Sequence, residues 1–146
     1  MRVVLQRVTH ASVVVDGRTT GAIEQGLMVL VGVGHDSTDA DARWLATKVE
    51  GLRVFSDEAG KMNRSVADVG GGVLAISQFT LYGTAQKGRR PSFVDAAPPA
   101  EGERLYEVFC DALTVPVGRG VFGADMQITM TADGPVTLTV ESHGRR

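Results

Sequence analysis

The stretch "GLMVLVGVG", residues 26–34, decides the fold, because no polar side chain interrupts it. A strand with one solvent-exposed face alternates apolar and polar residues, so this run predicts a strand that is buried on both faces. The segments before it, "VVLQRV" (3–8), "ASVVVDG" (11–17) and "TTGAI" (19–23), favour strands, and Asp-Gly at 16–17 is a turn signal. The first third of the chain is therefore predicted to form a sheet around 26–34.

The apolar period changes to that of a helix after residue 34. Leu45, Ala46, Val49 and Leu52 share one helical face, with Ser37 or Thr38 as the cap and acids at 39 and 41, which predicts a helix over about 38–51. A second helix is predicted over about 99–114, because Pro99 suits a first turn. Its apolar stripe comprises Leu105, Val108, Phe109, Ala112 and Leu113.

The remaining strands complete a sheet-dominated chain. "RVFSDEAGKMN" (53–63) predicts a strand that enters a hairpin or loop with Gly60 at its turn, and "GGGVLAISQFTLY" (70–82) a glycine loop that feeds a strand. "MQITMTA" (126–132) and "VTLTVES" (136–142) predict two strands, and "DGP" between them is typical of a turn whose proline bond is trans. The prediction is one α+β domain over 1–146 with two principal helices.

Composition excludes several classes of protein. The net charge of -2 over 146 residues gives no overall signal for nucleic-acid binding, so any such binding must depend on a local patch. The single cysteine excludes an internal disulfide framework and a Cys-rich metal site. No signal peptide and no apolar run long enough for a membrane span is recognised, so we expect a cytoplasmic protein without membrane contact.

Most candidate chemical groups have a plain structural interpretation. His10, His35 and His143 stand apart from any nucleophile-and-acid pattern, so surface or structural roles are expected for all three. Cys110 falls on the apolar stripe of the second helix and is expected in the core. "GVG" (32–34) and "GGG" (70–72) match no phosphate-binding pattern and are interpreted as turns.

Two segments leave alternatives open. "KGRRPSF" (87–93) places Lys87, Arg89 and Arg90 together, either as a solvated loop or as a patch that contacts phosphates. "SQFT" (77–80) ends a buried strand in polar residues. These residues either satisfy nearby backbone or supply an esterase nucleophile at Ser77 or Thr80, which would need a base that the sequence does not identify.

Taken together, the segments of this chain resemble the D-aminoacyl-tRNA deacylase family. The matching pieces are "LQRVTHASVVVDG", "RVFSDEAGKMN", "SQFTLYG", "RPSF", "GRGVFGADMQ" and "DGPVT", in the family's order and over nearly the whole chain. The resemblance implies a compact, barrel-like, mostly antiparallel sheet with flanking helices. It also implies a homodimer with active sites at the subunit interface, hydrolysis of the ester of D-aminoacyl-tRNA, and no metal or organic cofactor.

The resemblance also assigns roles to residues. It implies that Ser77, Gln78, Phe79 and Thr80 line the site of the scissile ester, with main-chain N–H groups near Phe79 and Thr80 as oxyanion donors. The ribose 2′-hydroxyl of the tRNA would help activate water, and direct attack by Thr80 is the competing mechanism. Phe122 and Met126 would form a pocket for the terminal adenosine. Lys87, Arg89 and Arg90 are the candidates for contact with the tRNA backbone.

Selection between D- and L-amino acids would depend on Gly134-Pro135. The resemblance implies a Gly-cis-Pro motif that one subunit inserts into the active site of its partner, with Arg7 helping to hold it. Its carbonyls would hold the α-amino group of the substrate, and an L side chain would clash with the motif. Glycine has no side chain to exclude, so glycyl-tRNA is expected to be a substrate as well. A non-catalytic nucleic-acid-binding protein and a general esterase that uses Thr80 remain the alternatives.

Overall fold

The computed structural model describes residues 1–142, so His143 and the tail after it lie outside the described residues. Its strands are β1 (Arg2–Val15), β2 (Arg18–Ile23), β3 (Gly26–Gly32), β4 (Phe55–Ser56), β5 (Met62–Arg64), β6 (Gly72–Ser77), β7 (Val117–Arg119) and β8 (Gln127–Glu141). The helices are α1 (Asp39–Gly51) and α2 (Pro99–Ala112), and a 3-10 turn covers Phe79–Tyr82. Neither helix is long and apolar enough to cross a membrane within this part of the chain.

Strand β1 is the centre of the sheet. The strands predicted at 3–8 and 11–17 form this one strand, which pairs antiparallel with β2 through its second half and with β3 through its first half. Strand β8 pairs antiparallel with β1 along almost its whole length. Since the first half of β1 pairs with both β3 and β8, these two strands lie on its opposite edges.

The sheet curls because its far end returns to β2. Strand β6 pairs parallel with β3, and β7, which the sequence did not predict, pairs parallel with β6. Thr20 Oγ1 of β2 donates to the Arg119 carbonyl of β7 at 3.2 Å, and a Cβ atom at Gly21 would lie 2.7 Å from Arg119 backbone atoms. This nearly closed sheet with two helices confirms the predicted α+β, barrel-like, mostly antiparallel fold.

Strand β3 is buried on both faces, as its sequence predicts. Leu27, Val29 and Val31 pack with residues of α1 and α2, whereas Met28 packs on the opposite face with residues such as Leu74. Each such side chain contributes about 1.5–3 kcal/mol on burial. A strand with an apolar cluster on each side therefore fixes the sheet between the two layers.

The helix ends follow from local hydrogen bonds. Thr38 is the cap of α1, because its hydroxyl accepts from Asp41 N at 3.2 Å and the Asp41 carboxylate accepts from Thr38 N at 2.9 Å. The alternative cap, Ser37, instead accepts from Gly34 N at 3.0 Å. Helix α2 ends before the predicted residue 114, where the Glu50 carboxylate accepts from Thr114 N.

The segment "DGP" is not a turn between two strands. Both flanking segments pair with β1, so the chain keeps its direction through 133–135 and forms the single strand β8. The pairing register shifts on either side of Val8, which places the extra residues opposite Arg7. The turn prediction was wrong because a bulge and a turn use the same residue types, and only the distant partner strand distinguishes them.

Candidate active site

A cavity of about 760 Å³ opens where strand β6 ends. Its walls come from the end of β6 and the start of the 3-10 turn, from segment 93–99 before α2, and from segment 122–126 before β8. Of the residues predicted for the active site, Ser77, Gln78, Phe79, Phe122 and Met126 line it. Three segments far apart in sequence thus meet in one concave, largely apolar space, the usual form of a small-ligand site.

Strand β6 is anchored before it reaches the cavity. The carbonyl of Ala75 accepts from the Tyr106 hydroxyl of α2 at 2.7 Å and from Gly120 N at 3.3 Å. Gln78 N donates to Val31 O at 2.8 Å, so the β3–β6 ladder continues one residue past the strand. The polar residues that follow are therefore held at a defined position on the cavity wall.

The 3-10 turn leaves two backbone donors without acceptors. Within the turn region, Leu81 N donates to Gln78 O at 3.2 Å and Gly83 N donates to Thr80 O at 2.9 Å. The N–H groups of Phe79 and Thr80 donate no hydrogen bond within residues 1–142, and no side chain caps the turn. The first N–H groups of a helical turn have no intrahelical partner, so these two are available to an incoming acceptor.

The Thr80 hydroxyl has no base beside it in the described part of the chain. It accepts a hydrogen bond from the Gln78 side-chain amide, which has no basic character. Thr80 itself does not line the cavity. His35 does, but its Nε2 lies 2.7 Å from the Val94 carbonyl oxygen and so holds segment 93–99. An activated nucleophile needs a base within hydrogen-bond reach, and the arrangement offers Thr80 none.

The other reactive groups lie outside the cavity. Cys110 is buried in the core as predicted, and burial raises the pKa of its thiol to about 11, so the thiol is protonated and unreactive at neutral pH. His10 lies on the exposed side of the β1–β8 ladder, 3.4 Å from Thr131 Oγ1. Among residues 1–142, no group of three or more histidine, cysteine or acidic side chains is placed to hold a metal ion.

Glycines make room for the two apolar residues of segment 122–126. The Phe122 ring lies over Gly102 of α2, where an added Cβ would be 3.5 Å from the ring. Met126 is more tightly seated, because a Cβ at Gly120 would lie 2.5 Å from the Met126 sulfur. These contacts fix Phe122 and Met126 as one wall of the cavity.

Sequence reasoning missed the wall formed by segment 93–99 and His35. The rings of Phe79 and Phe93 meet edge to face at 5.2 Å between centroids, and both are exposed at the cavity mouth. The sequence offers Phe93 only within the matching motif "RPSF" and predicts a surface or structural role for His35. The signal that could have found them is an exposed large aromatic residue beside a proline-rich segment, which is weak without the fold.

Arg7 and Gly134-Pro135 lie together, but away from this cavity. Arg7 Nη1 donates to Val54 O at 2.7 Å and its Nε donates to Asp133 O at 3.2 Å, with the Asp133 carboxylate 3.3 Å away. The Gly134-Pro135 peptide bond is cis, as the resemblance implied and contrary to the trans expectation from frequency alone. No residue of 133–136 lines the cavity, so the chain does not bring this motif to its own Ser77–Thr80 segment.

The basic residues occupy an exposed loop beyond the 3-10 turn. Thr84 and Ser92 close the loop with two mutual backbone hydrogen bonds of 2.8 Å. Lys87, Arg89 and Arg90 project from it, and none of them forms an ion pair within residues 1–142. The loop therefore presents uncompensated positive charge near the cavity mouth.

Comparison with known proteins identifies close relatives. Residues 4–141 match the family described as D-Tyr-tRNA(Tyr) deacylase. The chain is similar to the D-aminoacyl-tRNA deacylase of Geobacter metallireducens, with 57% identity covering 97% of this chain and 96% of the relative. It is also similar to the D-aminoacyl-tRNA deacylase of Opitutus terrae, with 54% identity covering 99% of both chains.

Two solved structures share the fold. A structure described as the c-Myc DNA Unwinding Element Binding Protein superposes with a TM-score of 0.91 and 40% identity, covering 97% of this chain and 98% of the other. A structure described as a probable eukaryotic D-amino acid tRNA deacylase superposes with a TM-score of 0.82 and 20% identity, covering 96% and 98%. At 20% identity, the second likeness speaks for the fold alone.

Proposed function

The chain belongs to the D-Tyr-tRNA(Tyr) deacylase family, and from this we propose that it hydrolyses the ester between a D-amino acid and the terminal adenosine of tRNA. As a member of this family it is a hydrolase of carboxylic esters. The observation that carries the proposal is the pair of unused N–H groups, those of Phe79 and Thr80, at the end of a buried strand beside the cavity. An ester hydrolase needs such donors at the developing oxyanion.

In the proposed reaction, the ester carbonyl oxygen lies against the N–H groups of Phe79 and Thr80. Water adds to the carbonyl carbon, and the ribose 2′-hydroxyl of the tRNA relays the proton that this water loses. The tetrahedral intermediate then breaks its bond to the ribose 3′-oxygen, which takes up the proton. The products are the free amino acid and tRNA with its 3′-hydroxyl restored, and neither a metal nor an organic cofactor takes part.

Phe122 and Met126 are proposed to bind the terminal adenosine. Both lie on the cavity wall, and apolar side chains favour the faces of a base. Ser77, Gln78 and Phe79 line the same cavity at the start of the 3-10 turn. An adenosine bound there would bring its 3′-ester toward the turn.

Chiral selection is proposed to come from a second copy of the chain. Gly134-Pro135 is absent from the cavity of its own chain, so a filter built from this motif requires a homodimer in which the motif of one subunit enters the site of the other. The exposed surface of β8, including Ile128 and Leu138, supports such an association. The motif carbonyls would hold the α-amino group of the substrate and exclude an L side chain. Chiral proofreading of this kind would serve translation quality control in the cytoplasm.

Glycyl-tRNA is proposed as a further substrate. A filter that works by exclusion has nothing to exclude in glycine, whose α-amino group can still meet the carbonyls of Gly134 and Pro135. Incubation with glycyl-tRNA, L-Ala-tRNA and D-Ala-tRNA in parallel is expected to cleave the first and third only. Sparing of glycyl-tRNA would show that the site recognises a D side chain positively.

A second candidate function is nucleic-acid binding without catalysis. The basic loop with Lys87, Arg89 and Arg90 favours it, as does the likeness to a structure whose description names DNA-element binding. The third, a general esterase with Thr80 as nucleophile, is disfavoured because, within residues 1–142, the only hydrogen-bond partner of that hydroxyl is an amide.

Hydrolysis of D-Tyr-tRNA compared with L-Tyr-tRNA and a simple tyrosine ester separates the three functions. The deacylase proposal expects release of tyrosine from D-Tyr-tRNA only. Cleavage of all three substrates would indicate a general esterase. Binding of both tRNAs without cleavage would leave only the nucleic-acid-binding function.

A further inference from the structure

The 3-10 turn is contacted by a side chain from the start of the sequence, that of Arg2 on β1. We propose that Arg2 and the Tyr82 ring form a clamp that sets the orientation of the turn and so aims the N–H groups of Phe79 and Thr80. The catalytic effect of this clamp rests on the proposed deacylase function. Arg2 and Tyr82 are positioning residues in this proposal, since neither lines the cavity.

Arg2 holds the turn through two different contacts. Its Nη1 donates to the Leu81 carbonyl at 3.0 Å, and its guanidinium carbon lies 4.3 Å from the centroid of the Tyr82 ring. A third contact fixes Arg2 itself, because its Nε lies 3.3 Å from Glu141 Oε1 near the end of β8. The guanidinium thus connects the last strand of the sheet to the last residues of the turn.

The Tyr82 ring suits a contact with a cation. Burial raises the pKa of its phenol above the ordinary value, so the ring is neutral at physiological pH and presents an electron-rich face. The guanidinium is planar and permanently charged, so it can lie over the ring while it donates to a carbonyl. Lysine could retain the charge but not this combination.

Two glycines at and just after the end of β3 also contact the turn. A Cβ at Gly34 would lie 2.4 Å from Tyr82 Cε1, and a Cβ at Gly32 would lie 2.9 Å from Leu81 Cβ. Leu81 and Tyr82 therefore pack closely on the bare backbone of these two glycines, and the Arg2 guanidinium contacts the same two residues of the turn. A 3-10 turn of four residues has few hydrogen bonds of its own, so these outside contacts decide its orientation.

The kinetic test compares variants of both members in the full-length protein. Arg2→Gln is expected to lower kcat for D-Tyr-tRNA about 10-fold with KM changed less than about twofold, because misaligned donors weaken the transition state rather than substrate binding. Tyr82→Leu should give the same loss and the double variant no more. Tyr82→Phe keeps the ring and should match the unsubstituted protein, and Arg2→Lys should recover part of the activity. Arg43→Gln, an exposed arginine on α1, is the matched control.

A second measurement does not depend on turnover. The backbone amide NMR signals of Phe79 and Thr80 are expected to shift in Arg2→Gln and Tyr82→Leu, and to stay in place in Tyr82→Phe and Arg43→Gln. Unchanged amide signals in both clamp variants would overturn the proposal, whether or not the protein is a deacylase. A lower melting temperature with unchanged kcat would also overturn it, since that result describes a purely structural contact. If the unsubstituted protein does not hydrolyse D-Tyr-tRNA, the proposed function is refuted. The amide signals would still show whether Arg2 and Tyr82 set the orientation of the turn.

Discussion

The 3-10 turn follows the end of the β3–β6 ladder, whereas the Gly134-Pro135 bulge interrupts the β1–β8 ladder, and the two have opposite surroundings. The turn follows a strand that is buried up to its last residue, Ser77, and begins on the wall of a largely apolar cavity. The bulge lies within β8, whose residues are mostly exposed, and the motif does not line that cavity. Strand β1 contacts both regions, because its Arg2 donates to the turn and its Arg7 donates to the bulge. Under the roles proposed for them, chemistry depends on the turn and substrate selection on the bulge, so each is expected to change without the other.

The largest expected effect comes from removing one backbone donor of the turn. Phe79→Pro deletes an N–H at the first position of a 3-10 turn, where the fixed φ of proline fits, and should lower kcat about 10²–10³-fold. Phe79→Ala, which keeps the N–H and loses the ring, is the control and should lose much less. If the two variants lose equal activity, Phe79 contributes to catalysis through its ring rather than through its N–H group.

Neutralising the basic loop tests a region outside both the 3-10 turn and the Gly134-Pro135 bulge. We expect Lys87→Gln/Arg89→Gln/Arg90→Gln to weaken tRNA binding and to reduce the slope of log affinity against log salt by about 2 to 3. Because the charge lies outside the filter, binding of D- and L-Tyr-tRNA should weaken equally. Binding titrations at several salt concentrations measure this, and an unchanged slope would remove the loop from the tRNA contact.

Breaking the anchor of the bulge should affect selection more than chemistry. Arg7→Gln loses the bonds to Val54 and Asp133 from a side chain that is only 13% exposed. We expect the preference for D-Tyr-tRNA over L-Tyr-tRNA to fall about 10-fold, the equivalent of about 1.4 kcal/mol. Arg53→Gln, which removes an exposed bond to Asn63, is the control. A lower rate with unchanged preference would disconnect Arg7 from selection.

The smallest effect is expected at the Thr80 hydroxyl. Since the turn acts through its backbone, Thr80→Ala should retain kcat within about 10-fold, as measured by single-turnover hydrolysis of D-Tyr-tRNA. Thr80→Ser keeps a hydroxyl and is the matched control. A loss of about 10⁴-fold in kcat in a folded Thr80→Ala protein would identify Thr80 as the nucleophile. The turn would then act through a side chain rather than through its backbone.

Local patterns predicted most of the elements correctly. The unbroken apolar run of β3, the helical stripes of α1 and α2 and the hairpin around Gly60 appear where expected. The family resemblance then identified residues that neither spacing nor composition could assign, and the roles given to Ser77–Thr80 and Gly134-Pro135 stay predictions. Strand β7 escaped because three residues around a glycine carry too little periodicity to be recognised.

The sequence by itself determined the buried strand, the two helices and the polar ending of β6, because each depends on neighbours along the chain. Only the tertiary structure decided that "DGP" continues a strand, that His35 and Phe93 complete the cavity wall, and that Arg2 reaches Tyr82. The physical reason is that periodicity and capping are local, whereas strand pairing and cavity walls join segments up to the length of the chain apart. Their energies depend on which distant residues share burial and hydrogen bonds, and no local window contains both partners.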